Sequence, residues 1–410
     1  MISREHKLRA ALCLTTLLVC TAAAEQLLRL RGYPAYPPLS YAHAPNQREI
    51  RKTLEFEVSF ETNRHGLRYP DVPVAKPAGE VRVLLVGDSF TEGVGVAAHE
   101  TFGARLEARL TRPEQPVRFL NGGLAGRGPL EYGRFFLNVG LRFEPDTLLI
   151  CLFANDVSDT DATEQPRDLY AVEHSTPQGL RRLAWSCFPR LYLAVRRLWS
   201  IRRVDPVEAT IAEARRRGIP ESRIRAWRDR LPGDLVEAAR RGEFIFFMLA
   251  AGLLDPEYWT TALDIATPSS QARMDAMLSL LAELTRVAGT HGVRVGVVFI
   301  PADFQYDGRA QDGGSRSVWR EAGVTLRPQW LTAETRAQHE LEQWAAARGI
   351  PWLDLTPHLR REASTAGRLT YPLDGHWNAI GHAEAAKAIE PWLLRNGLTA
   401  ASVAVTPQHR

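Results

Sequence analysis

Short apolar runs alternate with segments of helical spacing over two separate parts of this chain. Val81 to Val86, Val117 to Leu120 and Thr147 to Phe153 read as buried strands, and stretches near Glu100 to Leu110 and Leu130 to Leu141 repeat apolar residues every three or four positions. The rhythm resumes late. Met274, Met277, Leu278, Leu281, Leu284 and Val287 mark a helix, and Val295 to Ile300 a fourth strand. A helix from about Ala333 to Arg348 stops at Gly349, and Pro351 to Leu355 reads as a fifth strand. The last helix runs from Asn378 to Leu394, with Ala385, Ile389 and Leu393 on its inner face. Five strands, each followed by a helix, predict a three-layer α/β/α sandwich around a parallel sheet.

Residues 159–267 break this pattern. They are helical in character and rich in Arg, with Phe244-Ile245-Phe246-Phe247 the one run of strand character. A connection of this length inside a domain predicts a cap or lid over the active-site face. Within it, Leu180 to Arg203 sets Arg181, Arg182, Arg190, Arg196, Arg197, Arg202 and Arg203 among Trp185, Phe188, Tyr192 and Trp199 without an acidic residue. That segment could suit an anionic membrane surface or an acidic glycan, but a cap helix with a solvated basic face is the preferred reading.

At the start, Arg4, Lys7 and Arg9 precede an apolar run from Ala10 to Ala24. This predicts export to the periplasm or another extracytoplasmic space, by a signal peptide or, if Leu27, Leu28 and Leu30 extend the run, an N-terminal membrane anchor. The expected organisation is a leader over 1–30, a Pro-rich spacer over 31–54 and a catalytic domain over 55–158 and 268–396. The insertion fills 159–267, and a tail follows over 397–410.

With 410 residues, 45% of them hydrophobic, the chain can bury a full core and an accessory region. A net charge of +4, with basic residues dispersed outside the segment Leu180 to Arg203, calls for no nucleic-acid partner. Cys13 and Cys20 lie in the leader, so Cys151 and Cys187 remain. They could pair in an oxidising compartment, but core packing accounts for Cys151. No zinc-type Cys/His spacing and no Walker or dinucleotide motif occurs, so neither a metal nor a cofactor is expected.

Candidate chemistry lies in blocks at strand ends. Gly87-Asp88-Ser89 puts a serine at the carboxyl end of the first strand, and Asp374-Gly375-His376-Trp377-Asn378 offers an acid and an imidazole together. A serine hydroxyl needs a base in hydrogen-bond reach and a group that orients the base. Ser89, His376 and Asp374 supply these types; alternatively, Asp374 and Asn378 cap the last helix. Acyl transfer also needs donors for an oxyanion. The loop Asn121-Gly122-Gly123-Leu124-Ala125-Gly126-Arg127-Gly128 and the Asn155 amide in Phe153-Ala154-Asn155-Asp156 are candidates. Asp354 is a reserve acid, Asp156 reads as a loop-bonding carboxylate, and Arg68 could meet a substrate anion.

Taken together, these blocks resemble the SGNH (GDSL-type) hydrolase superfamily over about residues 80–160 and 270–395. The resemblance implies a flavodoxin-like fold, Ser89 as nucleophile, and the Ser89 amide, Gly126 and Asn155 as the oxyanion hole. It makes His376 the base and Asp374 its acid. Phe153 stands where the family's third block has glycine. The acid sits two residues before the histidine rather than three, which is similar to the branch found among bacterial exopolysaccharide acetylation proteins. The implied activity is that of an exported serine esterase on acyl esters, acetyl esters of a carbohydrate foremost. Its partner would be an acylated small molecule or polysaccharide. An O-acetyltransferase acting on an exopolysaccharide, or a glycan-binding or assembly protein on an impaired scaffold, are the other readings.

Overall fold

The computed structural model describes residues 4–31, 39–171, 180–200, 205–312 and 316–400. Pro34, Pro37 and Pro38 of the expected spacer, Arg202 and Arg203 of the basic segment, and residues 401–410 of the expected tail lie outside them, as do the side chains at 181, 182, 185, 196, 197 and 199. The chain forms two compact units, one of residues 1–40 and 172–204, the other of 41–171 and 205–410.

In the first unit the apolar run does not stop at Ala24. A single helix, Arg4–Leu30, carries it through Leu27 and Leu28, so that Leu8–Leu30 is long and apolar enough to cross a membrane. Its place near the N-terminus is also that of a signal sequence. Near its end, the Glu25 carboxylate accepts the backbone amides of Arg190 and Leu191 (3.3 and 2.9 Å) from the helix Pro189–Ser200. Those amides belong to the first turn of that helix, where they have no intrahelical acceptor.

The second unit holds two sheets. An antiparallel pair, β1 (Arg48–Lys52) and β2 (Glu57–Glu61), precedes five parallel strands: β3 (Val81–Gly87), β4 (Val117–Asn121), β5 (Thr147–Phe153), β6 (Arg294–Ile300) and β7 (Trp352–Asp354). The parallel sheet has the order β4-β3-β5-β6-β7, the flavodoxin-like arrangement of doubly wound folds. Every residue of β3 and β5 is buried, as a parallel sheet covered on both faces requires. The helices Phe102–Leu110 and Ala379–Arg395 pack together, as do Pro129–Asn138 and Pro268–Thr290, and these pairs flank the sheet. Register pairs Leu85 with Asn121, Gly87 with Cys151 and Phe153 with Ile300. The loops after β3, β4 and β5 therefore open along one edge, where this fold binds ligands.

Three local expectations change. The β1–β2 hairpin lies across residues 48–61, partly within the stretch expected as spacer. Its strands carry few apolar residues and instead place Arg48 opposite Glu61 and Lys52 opposite Glu57. Phe244 to Phe247 forms no strand, and Phe247 opens the helix Phe247–Leu254; a short apolar run does not distinguish the two states. Leu398, in the expected tail, is buried, and its carbonyl accepts from Thr147 Oγ1 at 2.7 Å. All four cysteines are free, Cys151 buried and Cys187 exposed. Residues 206–263 form helices around a small core of their own that includes Ile211, Trp227 and Leu253.

Candidate active site

Beyond β3 the chain turns at Asp88, and Ser89 opens the short helix Ser89–Glu92. Asp88 Oδ1 accepts the Phe90 amide at 2.9 Å, which fixes the turn. Ser89 Oγ lies 2.7 Å from His376 Nε2 and 3.3 Å from Asp88 Oδ2. On the far side of the imidazole, Nδ1 lies 2.5 Å from Asp374 Oδ1. One hydrogen-bonded row thus joins hydroxyl, imidazole and carboxylate across 287 positions of sequence.

The loop carrying His376 and Asp374 is built around Gly375, whose φ of 87° lies in the left-handed region. Gly375 N donates to Tyr371 O at 2.7 Å, and Tyr371 N donates to His376 O at 2.9 Å. This tight turn curls the Asp374 carboxylate back onto the ring. Asn378 does cap the last helix, its Oδ1 accepting the Ile380 and Gly381 amides at 2.9 and 3.1 Å; Asp374 instead serves the histidine. Glu55, from the hairpin loop, accepts the Leu373 and Asp374 amides at 2.9 and 2.7 Å and holds the loop from outside.

Burial works against an imidazolium at 376, but the charge and hydrogen bond of Asp374 outweigh it and hold His376 above the ordinary histidine value. Burial, the largest influence on Asp88, pushes its carboxyl up to about 7.

The oxyanion side is shaped by what the loop after β4 leaves over. The amides of Gly122 and Leu124 donate to the carbonyls of Leu85 and Gly87, each at 2.9 Å. Those of Gly123 and Ala125 donate to Asn121 Oδ1 and Glu92 Oε2, also at 2.9 Å. Gly126 comes next, exposed and with a φ of 68°. Among the described residues neither its N–H nor that of Ser89 has an acceptor. Asn155 sits just past the end of β5, but both hydrogens of its amide are committed, to Asp159 Oδ2 and to the Tyr258 hydroxyl, each at 2.9 Å. Tyr258 in turn donates to Asp159 Oδ1 at 2.6 Å, and Asn155 Oδ1 is buried without a partner.

Phe153 packs against the nucleophile turn. Its ring stacks on Phe90 at 4.2 Å between centroids, and Phe90 lies 5.1 Å from the His376 ring. Asp156 bonds its own loop, accepting Phe153 N at 2.9 Å and the Tyr132 hydroxyl at 2.8 Å. The reserve acid Asp354 is engaged elsewhere, with Thr356 N and Gln338 Nε2 at 2.8 and 2.7 Å. Arg68 does not face a substrate. It is buried, and its guanidinium donates to the carbonyls of Glu92, Gly93 and Val96 (2.8, 2.5 and 2.5 Å). Sequence reading missed Glu55, Glu92, Arg51 and Tyr258. For Glu92 one signal existed, its place a helical turn after Ser89; the others meet the site only through tertiary contacts.

No curated protein matches the sequence closely enough to count as a relative. Among solved structures, the fold is similar to a two-domain esterase active on acetylated mannans, at 13% identity and a TM-score of 0.32. That alignment covers 81% of this chain and 54% of the other, so the chain spans about half of that esterase. It is also similar to an acetylxylan esterase from Geobacillus stearothermophilus, at 13% identity and a TM-score of 0.36, covering 76% of this chain and 94% of that one. Residues 85–316, which include Ser89, Gly126 and Asn155 and end ahead of Asp374 and His376, match the profile of an ester-hydrolysing family. With more than half of its length in that match, the chain belongs to the GDSL-like lipase/acylhydrolase family.

Proposed function

We propose that this protein is an exported serine esterase that removes acyl groups, acetyl foremost, from a carbohydrate. The observation that carries the reading is the Ser89 Oγ to His376 Nε2 contact of 2.7 Å, backed by Asp374 on Nδ1. His376 takes the Ser89 proton as Oγ bonds to the ester carbonyl carbon, and the imidazolium is stabilised by Asp374. The tetrahedral oxyanion is held by the backbone N–H groups of Ser89 and Gly126. Asn155 joins them by exchanging the Tyr258 hydroxyl for the oxyanion as acceptor. As the intermediate collapses, His376 returns its proton to the leaving alcohol. Water, deprotonated by the same ring, then attacks the acyl-enzyme, and the acid and free Ser89 are regenerated.

The carbohydrate rests on the resemblance of the two-residue offset of Asp374 from His376 to the branch found among bacterial exopolysaccharide acetylation proteins, and export on the helix Arg4–Leu30. The test is covalent labelling by a fluorophosphonate together with acetate release from acetylated xylan or mannan. Wild type is expected to be labelled and to release acetate, and Ser89→Ala to do neither. Unlabelled, inactive wild type would return the protein to a binding role.

A further inference from the structure

We propose that Glu92 is a positioning residue of this site, its carboxylate held by Arg51 and tied to the Ala125 amide so that it sets the loop Asn121–Gly126 against the nucleophile turn. The inference deepens the serine-esterase reading and rests on it.

Glu92 ends the helix that Ser89 begins, and its side chain has no solvent exposure. A bare carboxylate so placed would be costly, and three groups reach it. The Arg51 guanidinium of β1 pairs with Oε1, while His43 Nε2 lies 2.9 Å from Oε2. Ala125 N donates to that same Oε2 at 2.9 Å. The backbone of Glu92 is tied as well, its carbonyl accepting from Arg68 Nη1 at 2.8 Å. Burial alone would raise this carboxyl, but the contacts with His43, Arg51 and Ala125 prevail and bring it down to about 2. It is therefore an anion at neutral pH.

The position of that anion matters because of what lies next to it. Ala125 N–H is bonded internally, while the following N–H, that of Gly126, has no acceptor among the described residues. Pinning Ala125 fixes the point from which the Gly126 peptide projects. The packing beneath is equally close. A Cβ on Gly123 would come within 2.2 Å of Glu92 N, so this loop lies directly on the nucleophile turn. Glu92 thus ties together two backbone segments that must stay in register for an oxyanion to meet both. Arg51 belongs to the hairpin and lies outside the residues that match the family profile, so here the clamp is completed by a neighbouring element.

The experiment measures kcat and KM for an aryl acetate on the full chain, with melting temperatures, for wild type, Ser89→Ala, Glu92→Gln, Arg51→Met and Arg51→Lys. Losing an oxyanion donor outright lowers kcat by about 10²–10³-fold, and a displaced donor loses less. Glu92→Gln is expected to lower kcat by about 10- to 100-fold with KM within about two-fold. Arg51→Met follows in the same direction, and Arg51→Lys recovers most of that loss. A merely structural role would lower the melting temperature without this split. Folded Glu92→Gln or Arg51→Met with wild-type kcat overturns the proposal. If Glu92→Gln fails to fold, the Arg51 pair decides, and equal kcat in Met and Lys variants counts against it. Turnover unaffected by Ser89→Ala would instead refute the serine-esterase reading, and the positioning role would fall with it.

Discussion

Asp374 acts on the proposed chemistry through a single atom, Nδ1 of His376. Replacing it by Asn keeps the shape but removes the charge that stabilises the imidazolium, and lets the amide donate where an acceptor is needed. Asp374→Asn is expected to lower kcat by about 10³–10⁴-fold with the fold retained, as measured by aryl acetate turnover and circular dichroism. The same contact sets the pH profile. Only neutral imidazole can take the Ser89 proton, so activity rises with pH as His376 loses its proton. Because His376 is held above the ordinary value, that rise is displaced upward from the usual histidine midpoint of about 6.5. Asp374→Asn removes the main force raising it, and the acid limb of kcat/KM moves to lower pH. An unmoved limb would mean that another group titrates there. The serine, the histidine and the acid were legible because each has a chemistry-bearing side chain at a predicted strand end or loop. Arg68 misled because a buried guanidinium feeding carbonyls looks, in sequence, like an exposed one.

Among elements, the strands of the parallel sheet were the most readable, since burial on both faces leaves nearly unbroken apolar runs such as Thr147 to Phe153. The β1–β2 hairpin was not, because charged residues dominate it and its partners are far away in sequence. The loop between β7 and the last helix depends on one backbone conformation. A Cβ at Gly375 would find only ordinary contact with Trp319 at 3.6 Å, so the penalty of Gly375→Ala comes from its φ of 87°. A non-glycine residue there costs about 1–2 kcal/mol. The variant is expected to lose that much stability in chemical denaturation and disproportionately more activity, since any relaxation of the turn withdraws Asp374 from Nδ1. Activity falling only in proportion to folded fraction would show that the turn tolerates the change.

For the molecule as a whole, the helix Arg4–Leu30 bears on where the esterase works. With Leu8–Leu30 long and apolar enough to cross a bilayer, the protein produced in a bacterial host is expected either to stay with membranes after alkaline carbonate or, if clipped, to begin beyond that helix. Carbonate extraction with N-terminal sequencing reads both, and full-length protein free in the cytoplasm would count against export. Hydrophobic periodicity and turn residues determined the layered α/β/α architecture, because apolar burial imposes a period on the chain wherever a strand or helix faces a core. The chemical types at the strand ends were likewise written locally. The clamp on Glu92, the support of Glu55 under Asp374 and the capture of the Asn155 amide by Tyr258 and Asp159 were decided only by tertiary structure. Those contacts join residues that share no periodicity, and what brings them together is the crossing of separate segments at one edge of the sheet.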